Sequence, residues 1–210
     1  MNIVKPRKNN NLVKTDQLLE EIQDEELLNR QIENTTLENI EIYDVKFEIL
    51  KMLNVEITNS KLEKNTFTDI TFENCNFSNT SFENSIFIRC EFKNCKMTGC
   101  NFIEARLYNV SFIETNINYS NLSITIMENV VFKNTGLRNS NFQENSFKNV
   151  SFENADLTQA MITKTSLKKI DLSDSIIEGI AVSIDDIKGA TINQFQAVDL
   201  LYLLGVKIKM

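Results

Sequence analysis

The 210-residue chain contains no histidine and no tryptophan, one proline and only five glycines. The missing histidine removes the commonest general base, the usual neutral metal ligand and the side chain that normally titrates near neutral pH. Any chemistry would have to come from carboxylates, Lys, Cys or Tyr. No P-loop, nucleophile elbow or HExxH motif is present. Positive charge is also scarce. The net charge of −7 argues against a protein that neutralises nucleic-acid phosphates, and suits instead a partner that itself grips DNA. Residues 1–14 are basic and Asn-rich without the apolar run of a signal peptide, and no stretch reaches the length of a membrane span, so a cytoplasmic protein is expected. In that compartment the four cysteines are expected to be reduced thiols.

What the sequence has in abundance is a period of five. Counting in fives from Leu37 through Ile42, Phe47, Met52 and Ile57 to Ile187 and Ile192 meets 32 positions, all apolar. At 42% apolar residues overall, chance gives such a run with a probability on the order of 10⁻¹². Thirteen of the 14 Phe lie on this column. Two residues before each centre the side chain is mostly small or β-branched, and all four cysteines, Cys75, Cys90, Cys95 and Cys100, fall there. Two residues after each centre, 13 of 32 positions are Asn, which tolerates turn dihedrals and suits a corner.

Neither the helical period of 3.6 nor the strand period of two yields five. A chain that points a large and a small residue inward and then turns a corner does. Four sides close a square coil of 20 residues, and Phe72, Phe92, Phe112, Phe132 and Phe152 then form one unbroken column. The expected fold is an all-β solenoid, a right-handed quadrilateral β-helix of about eight coils, roughly 38 Å long at 4.8 Å per coil. The single proline, Pro6, lies outside the ladder it would interrupt. Three segments are expected: a leader and cap over residues 1–34, the β-helix over 35–193, and a C-terminal helix and tail over 194–210. Residues 15–30 read as a short acidic helix lidding the first coil, and the register can be followed back to Leu27 and Ile32. Residues 3–5 are a candidate edge strand. Residues 194–204 read as a helix ended by Gly205, with a strand-like tail over 206–210. That helix is apolar nearly all round, which predicts a two-fold dimer through Phe195, Val198, Leu201, Tyr202, Leu203 and Leu204.

With these residues in view, the chain resembles the pentapeptide-repeat proteins over residues 27–210. The stretch Ile192-Asn193-Gln194-Phe195-Gln196-Ala197, with Leu200-Leu201 and Leu204-Gly205-Val206, is similar to the C-terminal dimerisation segment of the Qnr-type quinolone-resistance subgroup. That resemblance implies a homodimeric rod that imitates double-stranded DNA, binds DNA gyrase and topoisomerase IV, and protects them from fluoroquinolones. Unlike several members of that subgroup, this sequence has no projecting loop between residues 37 and 192. The alternative is an interaction scaffold with a different protein target.

Charge summed by side gives −2, −3, +2 and −3 around the coil. Three adjoining sides are acidic and one is basic. A 38 Å duplex carries about 22 phosphate charges, so mimicry would be partial. Candidate partner-binding acids are Glu73, Glu114, Glu153, Asp171 and Asp174 on one side, with Glu41, Asp44, Glu83, Glu104 and Glu144 on another. Catalytic, cofactor and metal residues are not expected: the cysteines lack a C-x₂-C pair and a filled coil leaves no room for substrate.

Overall fold

The computed structural model describes residues 3–206. Its backbone is governed by one recurring torsion. Every fifth residue from Asn29 to Lys169 has a positive φ, Gly99 included, at the position two after each apolar centre. There the chain turns a corner in the left-handed region, which costs an ordinary L-residue roughly 1–2 kcal/mol and costs Asn least among non-glycines. Asn54, Asn59, Asn74 and Asn79 fill this role at φ of 51–58°.

Four corners make one turn, and each turn pairs in parallel with the next at an offset of 20 residues: Phe47 with Phe67, Phe67 with Phe87, and Phe92 with Phe112. We number the faces by their centres: face one through Leu37 and Ile57, face two through Ile42 and Leu62, face three through Phe47 and Phe67, face four through Met52 and Phe72. Faces three and four are spanned together by eight-residue strands, Lys46–Leu53, Thr66–Glu73, Ile86–Lys93, Arg106–Ile113, Ile126–Lys133 and Ser146–Glu153. Each bends at its own left-handed residue. Faces one and two carry the short strands Thr36–Glu38 with Glu56–Thr58 and Glu41–Tyr43 with Lys61–Glu63, then single parallel bridges such as Asn76 with Lys96.

The interior is filled by the centres. Phe72, Phe92, Phe112, Phe132 and Phe152 stack with centroids 4.4–5.2 Å apart and ring planes within 11°. Phe47, Phe67 and Phe87 stack likewise on the adjoining face and meet the first column edge-on, as in Phe67–Phe72 at 6.5 Å. The residue two before each centre also points inward. Its hydroxyl or thiol donates to the carbonyl of the centre 23 residues earlier: Thr80 to Ile57 (2.7 Å), Ser85 to Leu62 (3.0 Å), Ser120 to Met97 (2.9 Å) and Ser140 to Ile117 (2.8 Å). Cys75, Cys90, Cys95 and Cys100 repeat that contact, so the cysteines stand where a small buried donor is required. Asn145 breaks the pattern: Thr125 Oγ1 takes the Leu122 carbonyl and Asn145 Nδ2 has no partner.

About seven turns stack, not eight. In the last coil the helical turn Ile184–Ile187, N-capped by Ser183, replaces a corner, and Ile187 and Ile192 are only half-buried. The expected acidic helix over 15–30 is absent. Asp24, Glu25 and Asn29 all have positive φ, which no α-helix accommodates, and Glu26–Leu28 is already a strand paired with the long strand that starts at Lys46. Val13–Thr15 pairs with Arg30–Glu33 at an offset of 17, and the shortened loop turns Leu18 inward as the plug of the first coil. Residues 3–5 form no strand.

At the other end the 194–204 helix is reduced to Gln196–Asp199 followed by a 3₁₀ turn, Leu201–Leu204, ended by Gly205 at φ 67°. The expected strand-like tail beyond residue 206 lies outside the described residues. Gln196 plugs the last coil: buried, it donates to the carbonyls of Leu172 (2.7 Å) and Ser175 (2.6 Å) and accepts from Asn193 N–H (2.8 Å).

Ile124 occupies a corner at φ 58° while half-exposed, the costliest residue type for that torsion. Ile124→Asn should therefore stabilise the fold by about 1 kcal/mol in urea titration, and Asn145→Ser, which removes an orphaned donor, by about 1 kcal/mol. Phe112→Ala, in the middle of the stacked column, should cost about 3–5 kcal/mol.

Candidate partner-binding surface

The ten candidate acids do not form one surface. Glu41, Asp44, Glu83, Glu104 and Glu144 lie on face two or its corner with face three; Glu73, Glu114, Glu153, Asp171 and Asp174 lie on face four or its corner with face one. In a four-sided coil these faces are opposite. Stacking also brings several acids beside a lysine one coil away: Glu41 with Lys61 (2.9 Å), Glu144 with Lys164 (2.7 Å), Glu153 with Lys133 (3.6 Å) and Glu73 with Lys93 (4.0 Å). The hydrogen bond from Lys61 holds the Glu41 carboxyl below its usual range. Exposed pairs of this kind contribute little to stability but cancel local charge. Among the described residues Asp44, Glu83, Glu104, Glu114, Asp171 and Asp174 have no such cation. Glu83 accepts from Asn101 Nδ2 (3.1 Å), and the pKa of Asp171 is lowered by the Ser173 hydroxyl and then by the Ser173 N–H, from which its carboxylate accepts at 2.9 Å. Each of the two faces therefore keeps three of its five candidate carboxylates free of a paired cation.

The corners add a neutral polar track. Asn34, Asn54, Asn74 and Asn94 hydrogen-bond in sequence through their side-chain amides at 2.8–3.4 Å along the edge between faces four and one. At the edge between faces three and four the equivalent column holds Asp69, a fully buried carboxylate gripped by Arg89 through Nε (2.6 Å) and Nη2 (2.7 Å) and by Arg7 Nε (2.7 Å). Nothing in the five-residue pattern singled out Asp69. Its signal is a charged residue whose neighbour one coil on, Arg89, has the opposite sign.

The expected dimer segment is divided by the structure. Phe195, Val198 and Leu204 are exposed, Phe195 by 76%. Leu203 packs against the core instead, Leu201 is half-buried, and the Tyr202 hydroxyl donates to the Ile180 carbonyl (2.6 Å), tying the segment to the last coil. Sequence alone did not separate the residues that cap from those left bare, because all are apolar.

A family model described as "Pentapeptide repeat region" matches residues 65–142, and one described as "Pentapeptide repeats (8 copies)" matches residues 135–174. The chain belongs to the pentapeptide-repeat proteins. Among solved structures, this pentapeptide-repeat chain is similar to HetL, a pentapeptide repeat protein involved in heterocyst differentiation regulation from the cyanobacterium Nostoc sp. strain PCC 7120 (12% identity, 78% of this chain and 87% of that one, TM-score 0.47). It is also similar to full-length QnrB1, a plasmid-mediated fluoroquinolone resistance protein (18% identity, 84% of this chain and 100% of that one, TM-score 0.44). No curated protein matches the sequence.

Within the pentapeptide-repeat coil all four thiols are buried, and Cys75 is the one whose pKa is lowered, by its hydrogen bond with Cys95. Burial pushes Cys90 and Cys100 up to about 12. Cys95, against the Cys75 sulfur and buried, is raised as well. Among the described residues no three Cys, Asp or Glu converge on a metal site, and no helix is long and apolar enough to cross a membrane.

Two measurements test this description of the surface. All four thiols should stay unreactive toward a disulfide reagent at pH 8 until the chain is unfolded, and Cys90→Ser, which keeps the donor, should change stability by less than about 1 kcal/mol. Burial pushes the Asp69 carboxyl up, but the hydrogen bonds and charges of Arg89 and Arg7 outweigh it and hold the group below the usual range. Its stabilisation is thus complete above the unfolded value, about 3.9, and is lost as pH falls through the folded one. Asp69→Asn should cost about 2 kcal/mol at pH 7 and flatten the loss of stability below pH 4, as followed by urea titration across pH.

Proposed function

We propose that this protein is a non-enzymatic, cytoplasmic rod that imitates duplex DNA, binds a type II topoisomerase, DNA gyrase or topoisomerase IV, and protects it from fluoroquinolones. The observation that carries the reading is the set of carboxylates on face two, Asp44, Glu83 and Glu104, that no lysine or arginine pairs among the described residues, held on a filled solenoid. A groove that evolved to hold phosphates with Lys and Arg meets there fixed negative charges on a rigid support. Seven coils span about 34 Å, over which DNA carries about 20 phosphate charges. The net charge of −7 is smaller, so shape and apolar contact must supply the remaining affinity.

The exposed Phe195, Val198 and Leu204 support a homodimer, which doubles the length of the rod. They extend from a segment whose other apolar residues are already used in capping, and water-exposed apolar surface at a solenoid end favours a second copy. A different protein target is the competing reading; it is favoured by the lysine pairing of Glu41, Glu73, Glu144 and Glu153, which weakens the phosphate-like field.

Gyrase supercoiling in the presence of ciprofloxacin, with the protein titrated in, decides between them. Recovery of supercoiling that is lost in a Glu83→Lys, Glu104→Lys variant is the expected outcome; no recovery at micromolar protein, with the coil intact by circular dichroism, leaves a scaffold for another partner. Val198→Asp should convert dimer to monomer in light scattering while leaving the thermal midpoint nearly unchanged, because Val198 is not part of the cap.

A further inference from the structure

Residues 3–9 form neither helix nor strand, yet they are pinned at three points along one column of corners. Val4 N–H donates to Asn109 Oδ1 (3.3 Å), Arg7 N–H donates to Asp69 Oδ1 (2.9 Å) with its Nε 2.7 Å from Oδ2, and Asn9 Nδ2 donates to Asn29 Oδ1 (2.8 Å). Asn109, Asp69 and Asn29 occupy the same corner at intervals of two coils. The segment therefore runs along the rod axis, against the direction of coil growth, over four coils or about 19 Å. Five residue steps reach about 17–18 Å when fully extended, so the strap is close to taut. Pro6 sits in it without penalty because no backbone ladder is formed there.

The strap is basic, and it lies over a floor that mixes the carboxylates Glu73, Glu91 and Glu153 with Lys51 and Lys133, beside the buried carboxylate of Asp69. Lys5 shares a cleft of about 260 Å³ with Glu91, Glu153 and Lys133, and Arg7 and Lys8 share one of about 500 Å³ with Glu73, Glu91, Lys14 and Lys51; of these acids Glu91 alone has no lysine or arginine paired to it among the described residues. Face four thus differs from face two in being already covered along its Asp69 edge by a basic peptide, whose Arg7 pairs with that carboxylate. Four polar contacts at three residues and no ladder hold that peptide, which places it among the elements that open at low free energy while the coil stays intact.

We propose that the groove on face four, edged by the Asp69 corner, is a docking site for a basic extended segment of the protein partner, and that the chain's own residues 3–9 fill it as a tethered stand-in. This rests on the reading that the partner engages the acidic faces, and it adds the partner's chemistry: an extended run with lysine or arginine at alternate positions, like Lys5 and Arg7. A tethered competitor acts at roughly millimolar effective concentration, so the strap makes access conditional on its release.

The test is fluorescence anisotropy of a labelled peptide with the sequence of residues 3–11, titrated with the full chain and with the full chain carrying Lys5→Glu and Arg7→Glu. The variant, its own strap repelled by Asp69, should bind at least about ten-fold more tightly than the unaltered chain, a difference of about 1.4 kcal/mol. Binding should weaken with salt and vanish when Glu73→Lys and Glu153→Lys are added. Equal affinity for both chains overturns the proposal, as does binding that survives Glu73→Lys and Glu153→Lys or is matched by a peptide with Lys5, Arg7 and Lys8 changed to Gln. Arg7→Ala, which removes only the exposed guanidinium, serves if the double variant does not fold. No topoisomerase is present in this assay, so peptide binding without gyrase protection retains the groove and discards the target.

Discussion

The structure depends on a left-handed residue at every fifth position. Each such residue is unfavourable by itself, and the chain accepts it in unbroken succession from Asn29 to Lys169. What makes this tolerable is that the torsion turns the backbone without wasting its hydrogen bonds. At a corner the N–H and C=O groups still point along the axis, as in Asn54 N–H to Glu73 O (3.0 Å) and Glu56 N–H to Thr35 O (2.8 Å). The stacked phenylalanines then bury their faces against one another. Local strain is thus repaid cooperatively by neighbours one coil away, so no single coil is stable alone and the solenoid holds as a stack.

Such a stack has two ends, and their chemistry differs. At the first coil the chain cuts its turn short and inserts Leu18, an apolar plug for an apolar opening. At the last coil the open carbonyls of Leu172 and Ser175 are met by the side-chain amide of Gln196. An uncovered end would present unpaired strand edges to any other chain, the hazard that capping removes. The apolar residues left over after this capping, Phe195, Val198 and Leu204, are those proposed to meet a second copy.

The period of five, the 20-residue stacking and the filled core were legible in the sequence because they repeat; any one unit is ambiguous, while 32 in register are not. The ends were not legible for the converse reason. Residues 15–30 satisfy helical spacing, yet Asp24 and Glu25 take left-handed torsions imposed by the coil they join, a tertiary override of local propensity. The apolar 194–204 segment satisfies it too, but the geometry of the last coil allows only one turn of α-helix and one of 3₁₀. The acidic candidates were legible as charges and not as a surface, since lysine pairing one coil away and the division between opposite faces emerge only when the coils are stacked. Asp69 escaped notice because burial at a corner is not written in the repeat.

The stacking at 20 residues also gives the molecule a unit of length. Insertion of one residue would turn every later centre outward, whereas insertion of one whole coil preserves every inward side chain and every corner while lengthening the rod by about 4.8 Å. Growth by duplication of 20-residue blocks is therefore the one change of size this architecture accepts at little cost. A lineage of such rods could adjust its reach along a partner in steps of that increment, like notches on a ruler, without redesigning the surface that makes contact.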